Sequence, residues 1–252
     1  MQRVVFCDFD GTITAVETFA GMLKDFAPEV SAQVMPELYA KRLTLREGVR
    51  RVLESIPSSR YPDILTYTQS KPIRPGLVEL LDFLDDRGVP FVVVSGGLRG
   101  MVETVLGRQK RGGTSLLERV AAVYAVDLDT SGDYLQPLSE FEGDSELVAK
   151  VQVMAQHPAD EQIAIGDSVT DFNMALHASV VFARDRLSQY LDERQKPYLP
   201  WNDFFEVRQH LSQLWGDSYG KQREQGKQRE QREQGKLLRE VGDLSEIYCK
   251  VL

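Results

Sequence analysis

Four short, mostly apolar runs recur along the chain, at residues 3–7, 90–97, 162–167 and 180–183. Runs this short and continuous are typical of strands buried on both faces of a parallel sheet. Apolar residues at helical spacing lie between these runs at residues 77–87, 145–156 and 170–177, and after the last run at residues 187–194. Because strands and helices alternate, the pattern predicts an α/β fold, a Rossmann-like parallel sheet with helices on both faces.

A helical block directly follows the first strand. Across residues 17–71, apolar residues recur at helical spacing in two series, from Phe19 to Phe26 and from Leu43 to Ile56. The block is longer than an ordinary crossover connection. We therefore expect a small helical cap at residues 15–72, inserted into a core that residues 1–14 and 73–215 form.

The pattern is less regular between the second and third main strands. Two further strands are predicted near residues 120–126 and 134–138, and Asp-Thr-Ser-Gly-Asp at residues 129–133 is typical of a hairpin turn. A last well-patterned helix is predicted to begin at Asp203, because an aspartate there can accept a hydrogen bond from the first helical turn.

The composition changes at residues 216–252. Gly-Lys-Gln-Arg-Glu-Gln occurs at 220–225 and again at 226–231, and such a polar repeat cannot bury a core. A weak apolar stripe follows at 237–252, which predicts a short C-terminal helix. The sequence leaves open whether this helix docks on the domain or on a partner, and a homodimer is one such arrangement.

Composition narrows the class of protein. The formal net charge of the 252 residues is −8, which disfavours nucleic acid and anionic membranes as partners. The two cysteines, Cys7 and Cys249, are too few for a disulfide framework, which fits a reducing compartment. Because the sequence shows neither an apolar signal region nor a window long enough to span a bilayer, we expect a cytoplasmic protein.

Candidate chemistry begins where the first strand ends. Asp8 and Asp10 are two positions apart, so their carboxylates would share one side of an extended chain and repel each other. A divalent cation is the usual remedy, and Gly11 allows the backbone to wrap around it. The alternative is an ordinary Asp-Gly turn after a strand.

Polar residues also follow the second and third strands. Ser95-Gly96-Gly97 could bind a phosphate through a hydroxyl and free backbone N–H groups, or could be a tight turn. Asp167 and Asp171 span a strand-to-helix turn, where a helix start rich in Asp is the alternative. In an open α/β sheet, ligands bind beyond the carboxyl ends of the strands, so these groups are expected to meet.

Taken together and in this order, the motifs resemble the haloacid dehalogenase superfamily of phosphohydrolases. They are Asp8-Phe9-Asp10-Gly11-Thr12, Val94-Ser95-Gly96, Lys150, and Gly166-Asp167-Ser168-Val169-Thr170-Asp171. Lys150 is chosen only by its position before the last motif, where a surface lysine is the default. The helical block is similar to the cap of the phosphoserine phosphatase-like branch. A closer resemblance to enzymes of this branch covers residues 3–214.

The resemblance implies a mechanism. Asp8 would attack phosphorus and form an aspartyl-phosphate, and Asp10 would act as general acid and base. Mg²⁺ would be held by the Asp8 carboxylate, the Asp10 backbone carbonyl and the Asp167 carboxylate, with Asp171 supporting the metal site. The remaining implied residues bind phosphate or substrate: Thr12, Glu17, Ser95, Gly96, Gly97 and Lys150.

The resulting prediction is a Mg²⁺-dependent phosphomonoester hydrolase that acts on a small phosphorylated metabolite. Phosphoserine is one alternative substrate, and Arg50 or Arg51 could then bind its carboxylate. Arg184 is either a residue near the active-site mouth or a surface arginine. A catalytically silent scaffold on the same fold is a further alternative, which loss of Asp8, Asp10 or Asp167 would indicate; all three are present.

Overall fold

The computed structural model describes residues 1–216. Residues Met1–Val207 form one compact unit, which contains the site described below. The predicted polar tail and its C-terminal helix lie outside the described residues, except for Gly216. Within residues 1–216, no helix combines the length and the apolar character that crossing a membrane requires.

Seven strands form one sheet in the order β6-β5-β2-β1-β7-β8-β9, and a separate ribbon pairs β3 with β4. In chain order, β1 to β9 are Arg3–Cys7, Phe91–Leu98, Lys110–Arg111, Thr114–Ser115, Ala122–Asp129, Gln136–Leu138, Glu161–Gly166, Val180–Ala183 and Leu199–Pro200. Every pairing in the large sheet is parallel except that of β5 with β6. The predicted Rossmann-like parallel sheet is therefore confirmed.

Strand β1 lies at the centre of this sheet. It pairs with β2 on one side, where Cys7 is opposite Val93, and with β7 on the other, where Cys7 is opposite Ile165. Its residues Val5, Phe6 and Cys7 have no exposed surface, as a strand covered on both faces requires. The strand order reverses at β1, so the carboxyl ends of β1, β2 and β7 border the crevice where α/β folds bind ligands.

Eleven α-helices occur in the described chain. In chain order, α1 to α11 are Phe19–Phe26, Pro28–Tyr39, Leu45–Leu53, Tyr61–Gln69, Leu77–Asp85, Arg99–Arg108, Leu116–Arg119, Lys150–Ala155, Phe172–His177, Asp185–Glu193 and Phe204–Leu214. Helices α1 to α4 lie between Thr14 and Ile73, which form an antiparallel bridge. The chain thus leaves the β1 end and returns beside it, and the regular structure between is helical, as its apolar spacing predicts.

One helix prediction needs correction, and one helix was not predicted. The helix predicted at residues 145–156 begins only at Lys150, because the backbone before it folds into a loop in which Gly143 N donates to Glu146 O and Ala149 N donates to Phe141 O. Helix α6, which directly follows β2, was not anticipated, because its apolar residues follow the Ser-Gly-Gly break without a distinct start signal. The helix predicted at Asp203 is confirmed, and Glu206 N donates a hydrogen bond to the Asp203 carboxylate.

Candidate active site

A cavity of about 230 Å³ opens beyond the carboxyl ends of β1, β2 and β7. Its polar lining includes Asp8 and Asp10 together with Ser95 and Lys150, which lie far from them in the sequence. Adjacent parallel strands bring their carboxyl ends to one sheet edge, and this explains the convergence. The predicted site residues that line the cavity are Asp8, Asp10, Glu17, Ser95, Gly96, Gly97 and Lys150.

Lys150 joins two aspartates at the floor of the cavity. Its Nζ atom lies 2.5 Å from Oδ1 of Asp8 and 2.6 Å from Oδ1 of Asp171, and all three residues are buried. Burial lowers the pKa of the Lys150 ammonium, but the carboxylates of Asp171 and Asp8 outweigh burial and raise this pKa above its usual value. Lys150 therefore carries a positive charge directly against Asp8.

Three buried carboxylates form an acidic cluster here. One oxygen each of Asp8, Asp167 and Asp171 lies within 4.8 Å of the others. Burial and then the charge of Asp171 raise the pKa of Asp167 to about 7, and the same two causes raise the pKa of Asp8 well above its usual value. A set of hard oxygen donors that resists ionisation on its own fits a divalent cation such as Mg²⁺.

Gly11 brings the backbone close to this cluster. Its φ is +79°, and a Cβ atom built there would lie 2.5 Å from Oδ2 of Asp167. Only glycine combines this left-handed conformation with so close an approach. The Asp-Gly pair therefore forms a turn and also lets the backbone of Gly11 pack directly against Asp167.

Asp10 lies outside the acidic cluster. Its Oδ1 accepts hydrogen bonds from the backbone N–H groups of Thr18, at 2.5 Å, and Phe19, at 2.9 Å, which orient the carboxyl group. Burial, and then the nearby charge of Glu17, raise the pKa of Asp10 well above its usual value. This shift favours the protonated form of Asp10, which is the form that a general acid needs.

Strand β2 is irregular where it reaches the cavity. Its register with β5 shifts between Val94 and Leu98. Ser95 is fully buried, and its Oγ accepts a hydrogen bond of 3.0 Å from Gly97 N. Ser95, Gly96 and Gly97 line the cavity from this irregular part of the strand, and their role in phosphate binding stays a prediction.

Three predicted residues have contacts that the motifs did not specify. Thr12 does not line the cavity, because its buried hydroxyl donates to Oδ1 of Asp167 at 2.8 Å. Asp171 accepts hydrogen bonds at Oδ2 from the backbone N–H groups of Asp167 and Ser168, both at 3.0 Å, which orient the turn after β7. Glu17 is exposed and lies at the rim.

The sequence motifs do not include Arg74, whose buried side chain binds the backbone of the turn after β1. Its side chain is 8% exposed, and it donates from Nε to Thr12 O at 2.8 Å and from a guanidinium nitrogen to Gly11 O at 2.5 Å. No local signal separates this arginine from a surface residue, although its neighbours Pro75 and Gly76 mark the return of the chain from the helical segment.

The arginines considered for substrate binding lie elsewhere. Arg184 donates to Asp185 and to Asn202 O, and Arg50 donates to Glu142. None of these side chains lines the cavity, and neither does Arg51. Glu146, Leu147 and Val148 do line the cavity. The sequence places them in a predicted helix, so it did not identify them as lining residues.

A family model for haloacid dehalogenase-like hydrolases matches residues 5–176. The chain belongs to this family. The resemblance inferred from the four motifs is thereby confirmed, and the protein is a hydrolase. The catalytic and binding roles of its individual residues remain predictions.

Relatives of this hydrolase bear a more specific name. A protein of Microcystis aeruginosa named 2-hydroxy-3-keto-5-methylthiopentenyl-1-phosphate phosphatase is 59% identical over 211 residues, which cover 84% of the chain and 98% of the relative. A protein of Bacillus cereus with the same name is 30% identical over 228 residues, covering 86% and 99%. The closer resemblance predicted at residues 3–214 is to proteins of this name and is confirmed.

Solved structures agree on the fold of the hydrolase. A phosphoserine phosphatase described as a phospho-aspartyl intermediate analogue superposes with a TM-score of 0.58 at 19% identity, covering 83% of this chain and 98% of that one. A hydrolase of the same superfamily from Salmonella enterica gives a TM-score of 0.61 at 16% identity, covering 80% and 68%. At these identities the likeness concerns the fold alone.

Proposed function

We propose that this hydrolase is a Mg²⁺-dependent phosphatase that removes the phosphate from 2-hydroxy-3-keto-5-methylthiopentenyl-1-phosphate in methionine salvage. The observation that carries this proposal is the 59% identity, over nearly the full length of the relative, to a protein of that name. The buried Asp8–Lys150–Asp171 arrangement supports it, because a carboxylate beside a fixed ammonium group suits phosphoryl transfer.

In the proposed reaction Asp8 attacks the phosphorus atom. A bond forms between the Asp8 carboxylate and phosphorus, the bond to the ester oxygen breaks, and Asp10 donates its proton to that leaving oxygen. Water then attacks phosphorus while Asp10 takes up its proton, which releases inorganic phosphate and restores Asp8. The two N–H groups that bind the Asp10 carboxyl group orient it for both transfers.

Groups that line the cavity together with Asp8 would hold the phosphoryl oxygens. Lys150 supplies a positive charge, and Ser95 supplies a hydroxyl beside the backbone of Gly96 and Gly97. These groups offset the negative charge that develops during transfer. Thr12 contributes through its hydrogen bond to Asp167.

The acidic cluster is the proposed Mg²⁺ site. The carboxylates of Asp8 and Asp167 would hold the ion together with the backbone carbonyl of Asp10, and Asp171 would support them through Lys150 and the turn after β7. When bound, Mg²⁺ neutralises charge on the phosphoryl oxygens and binds substrate beside the nucleophile. Burial, and then the charge of Asp171, raise the pKa values of Asp8 and Asp167, and a bound cation would oppose both effects.

Phosphoserine is the main alternative substrate, and the lining of the cavity disfavours it. Among the described residues that line the cavity, only Lys150 has a cationic side chain, and Asp8 and Asp171 already bind it. A carboxylate would instead meet Glu17 and Glu146. An uncharged tail, such as the methylthio-substituted chain of the salvage substrate, suits this lining better.

We further propose that the enzyme works in the cytoplasm on this small metabolite, without nucleic acid or membrane as partner. The net charge of −8 supports the exclusion of polyanionic partners. The buried free thiol of Cys7, next to Asp8, suits a reducing compartment. A homodimer remains a prediction, which the molar mass measured by light scattering with and without residues 217–252 would test.

The deciding experiment measures phosphate release by the purified chain with Mg²⁺, on the salvage substrate generated in situ and on phosphoserine. We expect a kcat/KM that is higher for the salvage substrate by a factor of at least about 100, as differential binding of the tail allows. Preference for phosphoserine would contradict the proposed substrate but keep the mechanism. Release from neither substrate would contradict the proposed function.

A further inference from the structure

Beyond its polar floor the cavity has an apolar wall. The wall is formed by side chains from α1, from α3 and from the loop that precedes α8: Phe19, Leu45, Val49, Leu147 and Val148. Leu45 is 36% exposed, although it is large and apolar, whereas Val49 and Val148 are 8% and 3% exposed. An apolar ligand in the cavity can cover an exposed leucine that lines it together with two nearly buried valines.

The start of helix α3 places two of these side chains on one face. Thr44 caps the helix, because its hydroxyl accepts a hydrogen bond from Glu47 N and its own N–H donates to the Glu47 carboxylate. This capping box makes Leu45 the first helical residue. Leu45 and Val49 are then four residues apart, so their side chains are neighbours on the helix surface.

Helix α3 is also hydrogen-bonded to the loop that supplies Leu147 and Val148 to the wall. Arg46 N donates to Ser145 O at 2.9 Å, and the Arg46 guanidinium donates to Gly143 O at 3.2 Å. One turn further, Arg50 donates to the Glu142 carboxylate at 3.0 Å. The helix and the loop at residues 142–149 therefore present one continuous wall, and the contact with Glu142 engages Arg50, one of the two arginines considered for a substrate carboxylate.

We propose that Leu45 and Val49, together with Val148, form a subsite that binds the apolar, uncharged tail of the phosphate ester and determines substrate specificity. The ligand class is a phosphomonoester whose substituent is an alkyl or alkylthio chain. Glu17 and Glu146, which line the same cavity, oppose an anionic tail by charge repulsion. The inference rests on the proposed function, since it deepens the substrate choice at that site.

The test uses alkylphosphonates, whose C–P bond a phosphatase does not hydrolyse, so binding is measured apart from turnover. Calorimetry with Mg²⁺ gives the Kd of methyl-, propyl- and pentylphosphonate and of a carboxyl-terminated analogue as long as the pentyl compound. We expect Kd to fall about fourfold for each methylene group that the wall buries. The carboxylated analogue should bind at least about tenfold more weakly than pentylphosphonate.

A matched pair of variants assigns the effect to the wall. Val49→Ala removes apolar surface from the cavity and should weaken pentylphosphonate binding about fivefold to tenfold while leaving methylphosphonate unchanged. Val52→Ala, in the same helix, truncates a valine that is 3% exposed and does not line the cavity. It should lower the melting temperature but keep the dependence of Kd on chain length.

The outcomes separate the two proposals. Chain-length dependence without phosphate release would keep the subsite and overturn the proposed phosphatase function. Phosphate release from the salvage substrate, with a Kd that does not change with chain length, would overturn the subsite and keep the function. Equal effects of Val49→Ala and Val52→Ala would also overturn it, because general loosening of α3 would then explain the loss.

Discussion

The hydroxyl of Thr12 donates a hydrogen bond of 2.8 Å to Oδ1 of Asp167, across 155 positions of sequence. The bond links the turn after β1 to the turn after β7 in a buried environment. Because Thr12 points towards a proposed metal ligand and away from the cavity, its contribution to phosphate binding is expected to be indirect.

Replacing Thr12 tests this relationship. Thr12→Val keeps the shape of the side chain but removes the donor, and its loss should cost about 1 kcal/mol of stability. We expect the Mg²⁺ concentration for half-maximal activity to rise severalfold while the KM for substrate stays unchanged; Thr12→Ser should restore the wild-type value. A rise in substrate KM alone would show that Thr12 binds the phosphoryl group directly.

Asp8→Asn should abolish turnover. The amide cannot attack phosphorus, so we expect kcat to fall by about 10,000-fold or more, as losses of catalytic nucleophiles do. Circular dichroism should show an unchanged fold, and Asp25→Asn, an exposed carboxylate in α1, serves as the control and should keep full activity. More than a trace of activity in Asp8→Asn would remove the nucleophile assignment.

Gly11→Ala should impair the acidic cluster. The new Cβ would lie 2.5 Å from Oδ2 of Asp167, in a left-handed backbone conformation that alanine rarely adopts. We expect weaker Mg²⁺ binding by calorimetry and at least a tenfold loss of activity. Gly107→Ala in α6 is the matched control, because a Cβ there meets no atom within 4 Å and should raise stability by about 0.5–1 kcal/mol.

Mg²⁺ should stabilise the protein more at pH 8 than at pH 5.5. The pKa of Asp167 is about 7 in the fold, against about 3.8 ordinarily, so the folded state holds this proton more tightly than the unfolded chain. The stability that Asp167 contributes is therefore fully present below about pH 4 and is lost as the pH rises through about 7. Mg²⁺ would replace the proton and offset that loss.

Melting temperatures with and without Mg²⁺ at the two pH values check this expectation. The gain should be several degrees larger at pH 8, and Asp167→Asn should remove most of the difference, since an amide does not titrate. An equal gain at both pH values in the wild-type protein would mean that proton release from this cluster is not linked to Mg²⁺ binding.

The sequence by itself determined the sheet and the residues at its edge. Strand β1 is a run of buried apolar residues, and Asp8 follows it directly; Asp167 follows β7 in the same way. Such patterns are local, because the spacing of apolar side chains determines where a strand forms, and the residue after the strand then lies at the sheet edge. Apart from boundary shifts of a few residues, the four main strands could therefore be placed from the pattern alone.

Only the tertiary structure decided which atoms these residues contact. It directed the Thr12 hydroxyl to Asp167 and buried Arg74 against the carbonyls of Gly11 and Thr12. It also packed the loop before Lys150 against α3, although the local spacing of apolar residues in that loop predicts a helix. The two residues in each of these hydrogen bonds are about 60 to 155 positions apart in the sequence. Their geometry depends on how whole elements pack, which no local pattern contains.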